Sequence, residues 1–217
     1  SLNLNGVVSE ILRLIRKLVG ERIDLATSLA EDLPAIRADR GQVEQILMNL
    51  CINARDAMPE GGRLLVSTTK VVLGESELVG HEAVPPGLYV MTSVVDTGTG
   101  MSEEVRLRAF EPFFTTKPSE KGTGLGLSVV HEIVRQHRGF IELQSEPGKG
   151  TAFRIYLPAV DGAPAETAPA APAPAGGGGE GSRVAGARGT ARGMGEGTRA
   201  PYGTRGRQAA QAAGPGA

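Results

Sequence analysis

Three polar side chains recur along one segment of the chain at the spacing of a helix face. Asn49, Asn53 and Asp56 stand at positions i, i+4 and i+7, beside apolar residues that also repeat with a helical period. Residues at these intervals lie on the same side of a helix. Amide and carboxylate oxygens suit Mg²⁺, which binds few protein groups and keeps waters and phosphate oxygens as further ligands. The same spacing also occurs on ordinary solvated helix faces, so this feature alone does not establish a site.

Two glycine-containing segments follow further along the chain. The segment DTGTG at 96–100 comes directly after an apolar, strand-like run, and its carboxylate can accept a hydrogen bond from an exocyclic amine such as that of adenine. The segment GTGLGLS at 122–128 leads into a predicted helix, where bare backbone N–H groups and the helix dipole favour an anion. It is neither a P-loop nor a dinucleotide fingerprint, because it lacks their spacing. A plain turn and a flexible hinge are the alternatives for these two segments.

Three of the chain's five phenylalanines lie in the segment FEPFFTTK at 110–117, directly before the second glycine segment. Their rings can form a small core that pins a loop. They can also anchor a lid whose mobile part is residues 115–123.

The elements that position these groups follow from hydrophobic period and capping residues. Helices are predicted at 5–19, 40–57, 103–109 and 125–137, with Asp39 and Ser102 as N-caps and Gly139 as the stop of the last helix. Strands are predicted at 21–28, 63–72 and 88–96, with an extended piece at 35–38 and a hairpin of 140–146 and 151–158 around the turn PGKG. This order predicts an α+β fold, a two-layer sandwich with helices on one face of a mixed, mostly antiparallel sheet. The buried faces are predicted to be Val8, Ile11, Leu12, Ile15, Leu18 and Val19 in the first helix and Val43, Ile46, Leu47, Leu50, Ala54 and Ala57 in the second.

Composition limits the class of protein. A chain of 217 residues with 40% hydrophobic residues can bury one sizeable core, and its formal net charge of −1 provides no general attraction to nucleic acid. A single cysteine excludes a disulfide framework, and no apolar run is long enough to span a membrane. We therefore expect a cytoplasmic domain at 1–158 with no specific nucleic-acid partner and no membrane span. The Ala-, Pro-, Gly- and Arg-rich remainder, 159–217, is expected to be a disordered linker and tail.

Taken together and in this order, four segments resemble a known family. NLCINARDAM, DTGTGMS, FEPFFTTK and GTGLGLSVV resemble the four nucleotide-binding boxes of the sensor histidine kinase catalytic domain. That domain belongs to a superfamily shared with gyrase B, mismatch-repair ATPases and heat-shock chaperone ATPases. The resemblance covers roughly residues 1–158 and implies the Bergerat-type ATP-binding fold, with ATP and Mg²⁺ as ligands.

The resemblance also implies roles for single residues. Asn53 is expected to coordinate Mg²⁺ that bridges the ATP phosphates, and Asn49 to face the same phosphates from one turn earlier. Asp96 is expected to take the adenine amino group with support from Thr151, and Lys117 to reach a phosphate from the lid. The other implied contacts are those of Gly98 and Gly100 with the base and those of Gly122, Thr123, Gly124, Leu125, Gly126 and Leu127 with the triphosphate.

Two positions help to decide which branch of the superfamily the chain resembles. At the position of Asn49 the ATP-hydrolysing relatives carry a Glu that activates water, and an Asn cannot take a proton. Glu44 does not replace it, because five residues place it about 140° round the helix. We therefore expect slow hydrolysis, with the γ-phosphoryl kept for another acceptor. Asp56 also belongs to the expected nucleotide site, although other branches often carry a basic residue there, and Arg55 can supply the nearby positive charge.

The activity implied is that of a protein histidine kinase. The acceptor is expected to be a histidine on a dimerisation domain absent from this chain, with a response regulator downstream. His81, His131 and His137 are expected to be structural or surface residues. His81 lies in a polar loop, His131-Glu132 lacks the proline of the acceptor motif, and the i, i+6 spacing of His131 and His137 does not fit zinc ligands. Two alternatives remain: a non-catalytic nucleotide-binding or interaction module, and a gyrase- or chaperone-like ATPase.

Overall fold

A sheet of six strands and four α-helices make up the part of the chain that the structure describes. The structure is a computed structural model, and it describes residues 1–78, 84–117 and 122–164. His81, residues 118–121 of the expected lid and residues 165–217 of the expected tail lie outside the described residues. The elements, in chain order, are α1 (Leu4–Val19), β1 (Ile23–Leu29), β2 (Pro34–Ile36), α2 (Arg40–Ala57), β3 (Gly62–Leu73), a 3₁₀ turn (Glu75–Leu78), β4 (Gly87–Asp96), α3 (Glu103–Arg108), α4 (Gly126–Gln136), β5 (Phe140–Glu146) and β6 (Gly150–Pro164).

The sheet is mixed and mostly antiparallel, as predicted. Strands lie in the order β1-β3-β4-β6-β2, and only the pair β1–β3 among those described is parallel. Strand β6 pairs with β4 through 151–158, and along its other edge with β5 through 150–156 and then with β2 from Ala159. Strand β6 lies between β4 and β5. The C-terminal end of β4 and the turn between β5 and β6 therefore meet at the same end of the sheet.

The main core lies between the helices and one face of the sheet. It combines the apolar faces of α1, α2 and α4 with alternate residues of the strands, among them Leu47, Leu64, Val90 and Val130. Strand residues of the opposite parity point to the other face. There a smaller cluster forms under the 3₁₀ turn from Leu78, Tyr89, Phe140 and Tyr156. The helices thus cover one face, which confirms the predicted α+β sandwich.

The capping residues of two helices behave as the sequence predicts. The Asp39 side chain accepts a hydrogen bond from the Gln42 N–H at the start of α2, and the Ser102 side chain accepts one from the Val105 N–H at the start of α3. Each cap satisfies a backbone donor that the first helical turn leaves unpaired. Within the described residues, none of the helices has both the length and the apolar character needed to cross a bilayer.

The buried face of α1 differs from the prediction at one residue. Leu18 is 42% exposed, whereas Val7 and Leu4 are buried beside the predicted Val8 and Ile15. In the last turn of α1, Val19 is 8% exposed and faces the core as predicted, whereas Leu18 faces solvent.

The last strand runs further than expected. β6 continues through Pro158, where the sequence predicted the folded part to end, because β2 supplies a pairing partner for Ala159 and Pro164. The prediction that a linker and tail follow applies to residues that lie mostly outside the described part.

The C-terminal end of α4 is formed by a different residue from the one predicted. The left-handed residue is Arg138, with φ 58°, and not Gly139. The Arg138 N–H donates to the Arg135 carbonyl at 2.9 Å and the Gly139 N–H to the Val134 carbonyl at 3.0 Å, which is the Schellman arrangement. Gly139 is required for another reason, since a Cβ there would collide with the Tyr156 carbonyl of β6.

Replacing Arg138 by glycine should therefore stabilise the domain. A left-handed φ strains any residue with a Cβ, so Arg138→Gly is expected to raise the free energy of unfolding by about 0.5–1 kcal/mol. The matched control is Arg135→Gly, which places glycine in the helix and should lower it by about 1 kcal/mol. Chemical denaturation measures both. A loss of stability in Arg138→Gly would contradict the assigned helix end.

Candidate functional site

One cavity of about 390 Å³ opens between the end of α2, the segment 99–101, the end of α3 and the segment that leads into α4. Its volume lies in the range of small-molecule sites. Eleven of the predicted site residues line it: Asn49, Asn53, Asp56, Gly100, Lys117, Gly122, Thr123, Gly124, Gly126, Leu127 and Thr151.

Three predicted site residues do not line the cavity. Asp96 is only 5% exposed and lies directly behind the wall, paired with Thr151 across β4 and β6. Gly98 packs against the end of α2, where a Cβ would come within 2.6 Å of the Ala57 carbonyl. Leu125 is 38% exposed and precedes α4. The missing side chain of Gly98 therefore lets backbone approach backbone at the end of α2. The predicted contact of Gly98 with a base stays a prediction.

The Asp96 carboxylate is buried and held by backbone donors. Burial raises its pKa, and the N–H groups of Gly98 and Thr151 oppose that rise. The bond from the Gly98 N–H to Oδ1 measures 2.8 Å. Since these donors engage the carboxylate from the protein side, its remaining capacity as an acceptor is available to a donor placed next to Thr151.

The β5–β6 hairpin fastens this end of the cavity. The Gly148 N–H donates to the Thr99 carbonyl at 2.7 Å. Gly100 has a φ of 66° and Gly150 a φ of 84°. A Cβ at Gly100 would collide with the Glu146 carbonyl, and one at Gly150 with the Asp96 carbonyl. The glycines of the two turns thus let the segment 96–100 and the hairpin pack backbone against backbone.

The polar face of α2 forms the opposite wall. Lys117 Nζ lies 3.2 Å from Asn53 Oδ1 and 2.7 Å from Asp56 Oδ2, and Arg55 contacts the other Asp56 oxygen at 2.7 Å. Burial alone would raise the pKa of Asp56, but the hydrogen bonds from Lys117 and Arg55 outweigh it and hold the pKa below its usual value. The amide oxygen of Asn53 and the carboxylate of Asp56 thus already face a cation.

The start of α4 offers backbone donors to the same space. Leu125 stands at its N-cap and provides no side-chain hydrogen bond, so within the described residues the first-turn N–H groups have no side-chain cap. Asn49 Nδ2 donates to the Gly126 carbonyl at 3.2 Å and ties this helix start to α2. A helix start of this kind, in a cavity that Lys117 also lines, is suited to an anion.

The phenylalanine segment packs differently from the predicted small core. Phe110 lies against the His131 ring, with centroids 5.3 Å apart, and Phe114 lies under the Arg108 guanidinium at 4.2 Å. Phe113, in contrast, is 74% exposed with φ 66°. Its backbone pins the loop, because its N–H donates to the Gly124 carbonyl at 2.9 Å.

Sequence reasoning did not single out the apolar side of the cavity or the residue behind it. Ile52, Ala57, Met101 and Val105 line the cavity, although none carries a chemical signal in the sequence. Ser145 lies behind the wall, with its hydroxyl 3.0 Å from that of Thr151. The register of the hairpin, which pairs Ser145 with Thr151 around PGKG, is the signal that could have found it.

The pKa of Asp56 tests whether Lys117 contacts the polar face of α2. Lys117→Met should raise the pKa of Asp56, because burial remains while one of two cationic donors is lost. A carboxylate whose pKa is lower in the folded than in the unfolded state stabilises the fold at pH values above the unfolded pKa, and this stabilisation is lost as the pH falls. The variant should therefore lose less stability on acidification than the parent chain. Carbon-13 NMR titration of the carboxyl group measures the pKa. Lys149→Met, which removes the partner of exposed Glu146, is the control. An unchanged Asp56 pKa would show that Lys117 does not contact it.

Comparison with known proteins places this site in a family. Residues 38–161 match the family described as histidine kinase-, DNA gyrase B- and HSP90-like ATPase. The chain belongs to this family. The sensor kinase CckA of Brucella abortus (strain 2308) is 44% identical over 157 residues, which cover 72% of this chain and 17% of that protein. The chain therefore spans about one sixth of the length of that relative.

Solved structures agree with the fold. The catalytic domain of histidine kinase ThkA, in a nucleotide-free form, superposes with a TM-score of 0.59 at 29% identity, covering 73% of this chain and 93% of that one. Full-length ShkA in complex with AMPPNP superposes with a TM-score of 0.59 at 28% identity, covering 78% of this chain and 32% of that one. The chain corresponds to the ATPase-type catalytic domain of sensor histidine kinases, which confirms the predicted family and fold.

Proposed function

We propose that this domain binds Mg²⁺ and ATP in the cavity and donates the γ-phosphoryl group to a histidine of a dimerisation domain. The observation that carries the proposal is the arrangement of the cavity walls. A buried carboxylate with a neighbouring hydroxyl lies at one end, and an uncapped helix start with a lysine and an asparagine-bearing helix lies at the other. Such a cavity matches a ligand with an amine-bearing flat base and a polyanionic tail.

The base end suits adenine. Thr151 lines the cavity and Asp96 lies directly behind it, and both offer acceptors for an exocyclic amine. The side chains of Ile52, Met101 and Val105 offer an apolar surface for a flat ring. The relative ShkA was solved with AMPPNP, an adenine nucleotide, and this supports the choice of base.

The phosphate end suits a triphosphate with a divalent cation. The first-turn N–H groups of α4 and the ammonium of Lys117 face the cavity and attract anions. Within the described residues, no three His, Cys, Asp or Glu side chains converge on one point as a protein-only metal site would need. Mg²⁺ fits this sparse donor set, because the amide oxygen of Asn53 can bind it while phosphates and waters complete its shell. When bound there, Mg²⁺ neutralises charge on the phosphates.

The residues of α2 argue for transfer and against hydrolysis. Asn49 cannot act as a general base, and its amide is engaged with the Gly126 carbonyl. Glu44 pairs with Arg40 at 2.8 Å. Phosphoryl transfer demands mainly positioning and charge neutralisation, which the cavity supplies, and the nucleophile then comes from another domain. The likeness to the catalytic domain of histidine kinase ThkA supports a histidine as that nucleophile. We further propose a response regulator as the next acceptor and the cytoplasm as the location.

Nucleotide affinity tests the two ends of the cavity. Asp96→Asn and Asn53→Ala should each weaken the binding of Mg²⁺–ATP by about tenfold or more, because each leaves a ligand group without its partner. Isothermal titration calorimetry measures the affinity. Asp24→Asn, an exposed carboxylate on β1 that faces Arg63, is the matched control and should bind like the parent chain.

Truncation after Pro164 addresses the predicted tail in the same assay. We expect unchanged affinity, because every described residue that lines the cavity precedes that position. Full affinity in both Asp96→Asn and Asn53→Ala would place the nucleotide elsewhere and sink the proposal.

Transfer itself requires a second domain. Labelled ATP is incubated with this chain and with the histidine-bearing dimerisation domain of a sensor kinase, intact or with its acceptor histidine replaced by alanine. Label on the intact domain alone supports the proposal. Binding without transfer would identify a nucleotide-binding module, and steady phosphate release by this chain alone would identify an ATPase.

A further inference from the structure

The hydroxyl of Ser145 meets three polar groups at the base end of the cavity. The Met101 N–H donates to Ser145 Oγ at 2.9 Å. The Gly150 carbonyl oxygen lies 3.0 Å from Ser145 Oγ, and the Thr151 hydroxyl oxygen also lies 3.0 Å from it. Two of these three groups belong to residues that line the cavity, Met101 and Thr151.

The direction of each hydrogen bond follows from the chemistry of the groups. A hydroxyl has one proton to donate and two lone pairs that accept. The Gly150 carbonyl can only accept, so Ser145 must donate its single proton there, and the Met101 N–H can only donate. The hydroxyl of Thr151 must therefore be the donor in its contact with Ser145.

The consequence lies at Thr151, which is 4% exposed. Its only hydroxyl proton is committed to Ser145, so towards the cavity it presents lone pairs alone. The exocyclic amine of a base can donate a hydrogen bond to Thr151, whereas a carbonyl at the same position would place its lone pair against that of the hydroxyl. A bridging water keeps the preference for the amine, because a water that donates to Thr151 turns a lone pair towards the base.

We propose that Ser145 is a specificity-determining residue, which fixes Thr151 as an acceptor and so selects a 6-amino purine over a 6-oxo purine. The inference rests on the proposed binding of ATP. Ser145 contacts Thr151 and Met101 rather than the base, and its role is therefore that of a positioning residue. Asp96 contributes its own preference for the amine, which Ser145 does not alter.

The test compares ATP with ITP, in which a carbonyl replaces the 6-amino group. Calorimetry on the full chain with Mg²⁺ gives the ratio of the ITP to the ATP dissociation constant. Ser145→Ala frees the Thr151 proton to turn towards the base, so the ratio is expected to fall by about tenfold. Ser145→Thr keeps the hydroxyl and should restore the parent ratio. Gln144→Ala, the exposed neighbour in β5, should not change it.

Two further variants isolate the role of Thr151. Thr151→Val removes the hydroxyl and should itself lower the ratio, and adding Ser145→Ala to it should change the ratio no further. Thermal unfolding checks that each variant folds, and Ser145→Cys replaces Ser145→Ala if the latter does not.

The outcomes separate the two proposals. A purely structural role of Ser145 would weaken ATP and ITP equally and leave the ratio unchanged, which would overturn the inference while ATP binding stands. Absence of ATP binding by the parent chain would overturn the proposed function itself.

Discussion

A buried carboxylate at the end of a central strand is the constraint on which the cavity depends. Asp96 is 5% exposed, and such a group is costly to bury unless hydrogen bonds compensate for lost water. The compensation comes from the N–H groups of Gly98 and Thr151, which are brought close by the turn after β4 and by the register of β6. A slip of one residue in that register would turn Thr151 to the other face of the sheet. The base end therefore exists only if β4, β6 and the β5 hairpin are correctly paired.

The α2 helix joins this constraint to the rest of the domain. Its apolar face, with Leu47 and Leu50 each 1% exposed, lies in the main core, while Asn49, Asn53 and Asp56 face the cavity. The Ala57 carbonyl at its end accepts the Thr99 N–H at 2.9 Å. One rigid helix therefore contacts both ends of the cavity, and the packing of its apolar face sets the position of its polar face.

The sequence predicts best those features that depend on residues close together in the chain. The extent of α2, its Asp39 cap and its polar face depend on residues within a few turns, and the structure matches all three. The left-handed Arg138, the exposed Phe113 and the exposed Leu18 depend instead on how an element meets its neighbours. Side chains behind the cavity wall, such as Ser145, become visible only with the strand register. The four boxes found the polar groups, because those carry chemistry, but not the apolar wall of Ile52 and Met101.

The two ends of the cavity are built from different kinds of interaction, and this difference suits the proposed phosphoryl transfer. The base end rests on ladder hydrogen bonds and glycine-to-backbone contacts, which have one arrangement and resist displacement. The phosphate end rests on side-chain contacts of Lys117 with Asn53 and Asp56, which are 2.7–3.2 Å long and partly exposed to solvent. Partly exposed ion contacts contribute little stability. Under the proposed function, the base end would set which nucleotide binds, and the cationic side chains at the other end would follow the phosphate that leaves.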